Sequence, residues 1–405
     1  MFQIVEPGTP LLTKVIRLWM AGGFLLFLFS FFICPDQGTQ KKVFYVAVVA
    51  PVFFSLFRRE FRLIFADPVF RWLAVTLLYL ALPVFWSPDY SPEFIKRVAK
   101  DSFYILCLFL AAWYVIAYMK VPLDYLLIAM LVVATVVGVI LAFEFYRARN
   151  WDFSQWFWPD WKFFNKNRTA KTYGMISVIG VGLFWLSQNQ KIRWFALGCA
   201  GIAIVLVALS RSFGGGFAVL FVLPLLFFRG GSERFSGKAK IIAIGVFCIL
   251  LITPMYVLDT TSLWAERGWS KRDQIWPVVL DMWWQSPLFG EGVLKRPIVI
   301  GIDGGRYHHE HNLVLALLRQ SGVIGAGLMI WFFGALLYRS IPKQGTHHRL
   351  AEGMIVYSFV ASMSGGIYPI EKPDDSWFWV WVPLALAFAI QMMDRDHGKS
   401  SEAKA

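Results

Sequence analysis

"HHEHNLVLALLRQSGVIGAGLMIWFFGALLYRS", residues 308–340, sets three histidines and a glutamate ahead of a long apolar run. Within that run Leu315, Leu318, Gly322 and Gly325 follow helical spacing. The stretch 312–338 is long enough to cross a bilayer, whose hydrocarbon core takes roughly 20 helical residues. It reads as a membrane helix with titratable groups at its mouth. Gly322 and Gly325, three apart, would let a neighbouring helix approach closely.

The same pattern recurs along the chain. Of 405 residues, 58% are hydrophobic and 16% charged, whereas soluble globular chains carry about a quarter charged residues. The sequence predicts an all-α integral membrane protein, one polytopic domain over 1–405, of about twelve spans. They fall near 18–34, 43–57, 69–86, 102–119, 124–146, 173–188, 194–210, 213–228, 241–258, 312–338, 351–369 and 377–393. Lys14 and Arg17 precede the first span as in a signal peptide, but no small-residue cleavage site follows "FFICPDQG", so it reads as a retained helix. Cys34, Cys107, Cys199 and Cys248 lie in or at the ends of spans with no CxxC, as packing residues do. The "FGGG" at 213–216 lacks the lysine of a P-loop, so no ATP motor is expected.

Basic residues choose the orientation. Arg58, Arg59, Arg62, Lys120, Lys191, Arg193, Arg229, Arg234, Lys238, Lys240, Arg339, Lys343 and Arg349 lie in short loops of one side, read as cytoplasmic with both termini. The opposite short loops hold fewer: Lys41, Lys42, Lys96, Arg97, Lys100, Arg211 and Lys372. Two outer loops are long, 147–172 and 258–310, and carry further cations, among them Arg168, Lys171, Lys271 and Arg272. Long loops translocate regardless of charge. A basic outer face points to an anionic external partner; attraction to anionic lipid headgroups is the plainer reading.

Three constellations sit on that face. His311 at the helix mouth, with Asn312 beside it to orient the ring, can accept a proton from a hydroxyl, its ordinary pKa being close to working pH. Neighbouring arginines would hold it neutral. A capping or snorkelling histidine is the alternative. His308, Glu310 and His311 could share a metal, but the order H-H-E-H lacks the zinc-protease pattern. Arg211 lies between Ser210 and Ser212 at a turn, ahead of three glycines that open the next helix. A guanidinium beside free helix N–H groups suits phosphate; an arginine anchoring a tight turn is the alternative. Arg272 lies in "ERGWSKRDQIW", where Trp269, Trp276, Trp283 and Trp284 mark an amphipathic surface helix. "SPLFGEG" at 286–292 then breaks the chain, and Asn167 and Arg168 precede the sixth span.

"HN", nine residues and "GVIG" resemble the H-[NSQ]-x9-G-x-x-[GTY] pattern of the O-antigen ligase and polymerase superfamily. The arginine of "SRS", the arginine and tryptophan of "RDQIW", the "PLFGEG" turn and the "WSPDYS" after the third span also come in that family's order. The resemblance covers most of the chain. It implies a metal-independent, inverting GT-C-type glycosyltransferase of the bacterial inner membrane, active on the periplasmic side and without cofactor. The implied donor is a glycan on undecaprenyl pyrophosphate and the acceptor lipid A–core oligosaccharide. His311 would be the base, and Arg211 and Arg272 would hold the pyrophosphate, helped by Arg168 and Lys271. Membrane lipids are partners; nucleic acid is not.

Three alternatives remain. A polymerase of the same superfamily would use a second lipid-linked glycan as acceptor. A protein O-oligosaccharyltransferase often carries a sizeable soluble C-terminal region, whereas here about twelve residues follow the last span. A transporter of an anionic lipid would place polar residues at the membrane midplane, and here they gather at one face.

Overall fold

The computed structural model describes residues 10–88, 90–159, 165–229, 237–238, 241–242, 244–246, 248–249, 271–293, 298–300, 305–307, 309–341, 345–365 and 368–402. Among these, eight helices are long and apolar enough to cross a membrane, or nine if a bent pair counts as one span. They are α1 (Leu11–Ile33), the bent pair α2 (Gln37–Ser55) and α3 (Arg59–Phe65), α4 (Pro68–Phe85), α5 (Pro92–Tyr118), α6 (Leu123–Arg147), α7 (Lys166–Leu186), α8 (Gln190–Ser210), and, later in the chain, Leu313–Ser340 and Asp375–Met393. Leu313–Ser340 is α11, and between the spans stand α9 (Phe213–Arg229), α10 (Arg272–Trp284) and α12 (Thr346–Ser362). The architecture is that of a multi-pass integral membrane protein. Of the twelve expected spans, eleven coincide with helices; 241–258 lies largely outside the described residues. Two of the eleven, α9 and α12, are short for a span at 17 residues each. On α9, Phe213, Phe217 and Phe221 face outward as a lipid-facing stripe.

The helix α7 is the hub. It packs on α8, α9 and α12 and its apolar window is wholly buried. Small residues allow this: a Cβ at Gly180 would meet the Ala196 carbonyl, and one at Gly182 would meet Leu350. The helix starts at Lys166, capped by Asn165, whose Oδ1 accepts from the N–H groups of Asn167 and Arg168 at 3.0 and 3.1 Å. Start and end therefore differ from the expected span 173–188. Arg168 and Lys171 stand on its first two turns, not in the outer loop.

α10 lies in the stretch expected as the outer loop 258–310 and starts six residues into the expected amphipathic segment 266–276. The same stretch holds a two-stranded antiparallel ribbon, with Ile298 paired to Tyr307 and Val299 to Arg306. Helical periodicity carried no sign of this ribbon. Ile275 and Val279 of α10 bury against Ile298; Trp269 lies outside the described residues.

The span α11 is not the continuous helix that its spacing implies. Gly322 has φ 66 and ψ −170, a conformation open only to glycine, and α11 kinks there. The turn 286–292 docks into the break: Val323 N–H donates to the Pro287 carbonyl at 2.9 Å, and Glu291 N–H to the Arg319 carbonyl at 2.8 Å. The orphaned backbone groups are thus satisfied from a distant segment. The "WSPDYS" segment closes over the same turn, Trp86 Nε1 donating to the Gly290 carbonyl at 3.3 Å and Ser87 Oγ to that of Val293 at 2.7 Å. A Cβ at Gly322 would collide with the Leu288 carbonyl. Gly322→Ala is expected to cost about 2–4 kcal/mol of stability, against little for Gly327→Ala, where no atom lies within contact. Thermal midpoints in detergent check this; equal midpoints would mean the break closes without the docked turn.

Candidate active site

Asn312 caps α11, its Oδ1 accepting from Val314 and Leu315 N–H at 2.9 and 3.1 Å. Its Nδ2 donates to the Met363 carbonyl at 3.3 Å. Its side chain is therefore a helix cap and does not orient the His311 ring, because both of its polar atoms are engaged with backbone. His311 has φ 53, in the left-handed region that non-glycine residues seldom occupy. Its neighbours hold it there. Glu310 is buried and receives Arg319 Nη1 at 3.0 Å, while Arg319 Nε lies 3.5 Å from Glu291 of the docked turn. Trp276 Nε1 of α10 donates to the Glu310 carbonyl at 3.1 Å. The Glu310 carboxylate is thus committed to Arg319. Burial raises its pKa, and Arg319 opposes that rise. The His309 ring packs on Tyr368 at 4.8 Å and stands 6.3 Å from the His311 ring; His308 lies outside the described residues.

The pKa of His311 is pushed down to about 4, first by burial and then by His309, Arg272 and Lys171. A neutral imidazole is what a proton acceptor at neutral pH requires. Arg272, half-buried at the start of α10, donates from Nη2 to the Ser364 carbonyl at 3.2 Å. Burial lowers its pKa, but a guanidinium stays charged at any working pH.

Lys171 is 1% exposed, with Nζ 4.6 Å from the Trp379 ring centroid. Among the described residues, neither Lys171 nor Arg272 has a carboxylate within ion-pair distance. Two helix N-termini converge on them: a Cβ at Gly214 of α9 would meet Ser364, and one at Gly215 would meet Ala170 of α7. Helix N-termini carry partial positive charge, and here Asn165 and Ser212 already accept from N–H groups of the two first turns. Buried cations without counter-ions at such a junction form a seat for an anion.

The other expected residues are spread around this seat. Arg168 Nη1 pairs with Asp374 at 3.0 Å and Asp375 at 3.6 Å. Arg211 forms the left-handed cap of α8 (φ 47), is buried, and donates from Nη2 to the Phe153 carbonyl at 3.0 Å. It joins the seat through its neighbour, Ser212 Oγ donating to Asn167 Oδ1 at 2.8 Å beside Arg168. Ser210 turns back into its own helix, its Oγ donating to the Val207 carbonyl at 2.6 Å. Lys271 is exposed, in a left-handed cap of α10, with Nζ 5.8 Å from the Tyr307 ring centroid. Gly325 makes room for Ser321 and Leu80 beside the break.

Lys171 is the residue that sequence reasoning counted only as loop charge. The signal was present: an asparagine cap at Asn165 followed by Arg168 and Lys171 three apart, the spacing of one helix face.

No protein-family model matches the chain. A curated relative named O-antigen ligase, from Pseudomonas aeruginosa, is 22% identical over 376 residues, 90% of this chain and 89% of that protein. The chain is therefore similar over nearly its whole length to an O-antigen ligase, which supports the family that its ordered motifs resemble.

Proposed function

We propose that this chain is an O-antigen ligase of the bacterial inner membrane, moving a glycan from undecaprenyl pyrophosphate to lipid A–core oligosaccharide on the periplasmic side. The observation that carries the reading is a neutral His311 near two buried or half-buried basic side chains, Lys171 and Arg272, with no carboxylate within ion-pair distance among the described residues. The likeness to an O-antigen ligase over 90% of the chain supports it.

Lys171 and Arg272 hold the donor's pyrophosphate, in the field of the α7 and α9 N-termini. Arg211 adds to the positive field, while Arg168, paired with Asp374 and Asp375, ties the start of α7 to the 374–375 turn. An acceptor hydroxyl, hydrogen-bonded to the His311 imidazole, attacks the anomeric carbon from the face opposite the leaving group. The new C–O bond forms as the bond from C1 to the phosphate oxygen breaks. The pyrophosphate leaves with the electron pair, His311 takes the hydroxyl proton, and the anomeric centre inverts. Fixed side-chain cations stabilise the growing charge, a task that a divalent ion performs in other transferases.

The test is transfer by the purified chain in proteoliposomes, with a lipid-linked glycan donor and separate arms offering lipid A–core, a second donor molecule and a protein. Transfer to lipid A–core that persists in excess EDTA is expected. Transfer only to a second donor would make the chain a polymerase. Loss in EDTA that zinc or manganese restores would overturn the metal-independent mechanism.

A further inference from the structure

The first two turns of α7 present Arg168 and Lys171 three residues apart, on one face. A short helix, α13 (Asp375–Trp379), packs on α7 and is capped by Asp374, whose Oδ1 accepts from the Ser376 N–H at 2.9 Å. The two helices meet in two steps. At the first, Arg168 Nη1 pairs with Asp374 at 3.0 Å and with Asp375 at 3.6 Å. At the second, about one turn further along each helix, Lys171 meets Trp379, its Nζ 4.6 Å from the ring centroid. Asp375 and Trp379 are four apart, so the face of α13 that gives an acid to Arg168 gives an aromatic ring to Lys171.

That exchange changes what the cation can do. A carboxylate in the place of Trp379 would neutralise the ammonium and compete with any incoming anion. The face of an indole attracts a cation through the ring quadrupole, more weakly than a carboxylate would, and leaves its formal charge whole. Both partners are buried, Lys171 1% and Trp379 2% exposed, and desolvation is where this attraction is strongest. The indole Nε1 has no hydrogen-bond partner among the described residues, though a buried tryptophan ordinarily finds one. The ring is therefore not held by its N–H, and what it offers a polar group is the face turned to Lys171. A lysine stem is flexible, so an ammonium with no carboxylate needs such a partner to stay aimed. Ala170, next in the chain, abuts Gly215 at the start of α9, which sets this contact at the junction of the two helix N-termini. We propose that Trp379 is a positioning residue of the anion seat: its ring face fixes the Lys171 ammonium without neutralising it, and so keeps a full charge for the pyrophosphate of the lipid-linked donor. This rests on the transferase reading given above.

The test follows two quantities in the purified chain: affinity for inorganic pyrophosphate, by titration calorimetry, and glycan transfer in proteoliposomes. Trp379→Phe keeps a ring face and should stay within about threefold of wild type in affinity and in donor kcat/KM. Trp379→Leu should weaken both about thirtyfold, the worth of a desolvated cation–aromatic contact, with acceptor KM unchanged. In the Lys171→Met background Trp379→Leu should cost nothing further, because its effect passes through the ammonium. Trp379→Glu should lose as much as Lys171→Met, its carboxylate neutralising the cation, and carries the test where the leucine variant does not fold. A leucine or glutamate variant that binds pyrophosphate and transfers as wild type does would overturn the proposal. So would a phenylalanine variant as impaired as the leucine one, or a leucine effect undiminished in the Lys171→Met background, which would assign Trp379 to packing. Wild-type protein that binds pyrophosphate in this Trp379-dependent way yet transfers no glycan would support the seat and overturn the transferase reading alone.

Discussion

His311→Ala is expected to abolish glycan transfer, with a loss of about a hundred- to ten-thousand-fold, the worth of a positioned general base. His311→Gln keeps the size and a hydrogen bond but cannot take the proton, and should be as inactive. His309→Ala should lose less, because its ring supports Tyr368 and His311 from one side. The pH profile follows from the direction of the shift. The pKa of His311 in the free protein is about 4, below the usual 6.5, so the reactive neutral form is complete above pH 5. kcat/KM, which reports the free enzyme, should fall only as pH drops toward 4. Once pyrophosphate is bound, its negative charge favours the imidazolium and raises that pKa. The acid limb of kcat should therefore lie at higher pH than that of kcat/KM. Coincident limbs at or above pH 6.5, or an active glutamine variant, would remove His311 as the base.

Lys171→Met is expected to reduce transfer about a hundred- to a thousandfold while leaving the protein as stable as wild type or raising its thermal midpoint by a few degrees. Activity falls because a cation aimed at the leaving group is lost, worth roughly 3–4 kcal/mol in such sites. Stability is kept because a buried charge without a counter-ion is costly to the empty protein, and methionine fills the same space. Arg272→Ala should lose activity to a similar degree, with poor rescue by lysine if two phosphate oxygens are held together. A Lys171→Met protein that unfolds at lower temperature and transfers normally would assign Lys171 to packing against Trp379.

The local features of this site were legible in the sequence, and the long-range ones were not. The helix start near Asn312, the turn at 286–292 and the helix opening at Phe213 all follow from short-range chemistry, although the sequence suggests Asn312 as orienting the ring and the structure makes it the cap. The break at Gly322 is silent because apolar spacing continues on both sides of it, and only the docking of a distant turn makes the break possible. Lys171 read as loop because charge in the first turns of a span looks like the water side. Only the packing of α7 among three helices reveals it as buried. Arg168 and Asp374 are 206 positions apart, so nothing local announces that the arginine is already paired.

The break at Gly322 also divides α11 into two lengths. At about 1.5 Å per residue, the arm Val323–Ser340 is ~27 Å long, close to the roughly 30 Å of a hydrocarbon core. The outer arm Leu313–Ser321 adds ~14 Å beyond it and carries the buried polar pair Arg319 and Gln320, which lipid would penalise heavily. The broken helix thus works as a pedestal. On the proposed reading, it holds the His311 imidazole beyond the apolar arm, so that a hydrated sugar reaches it without entering the bilayer.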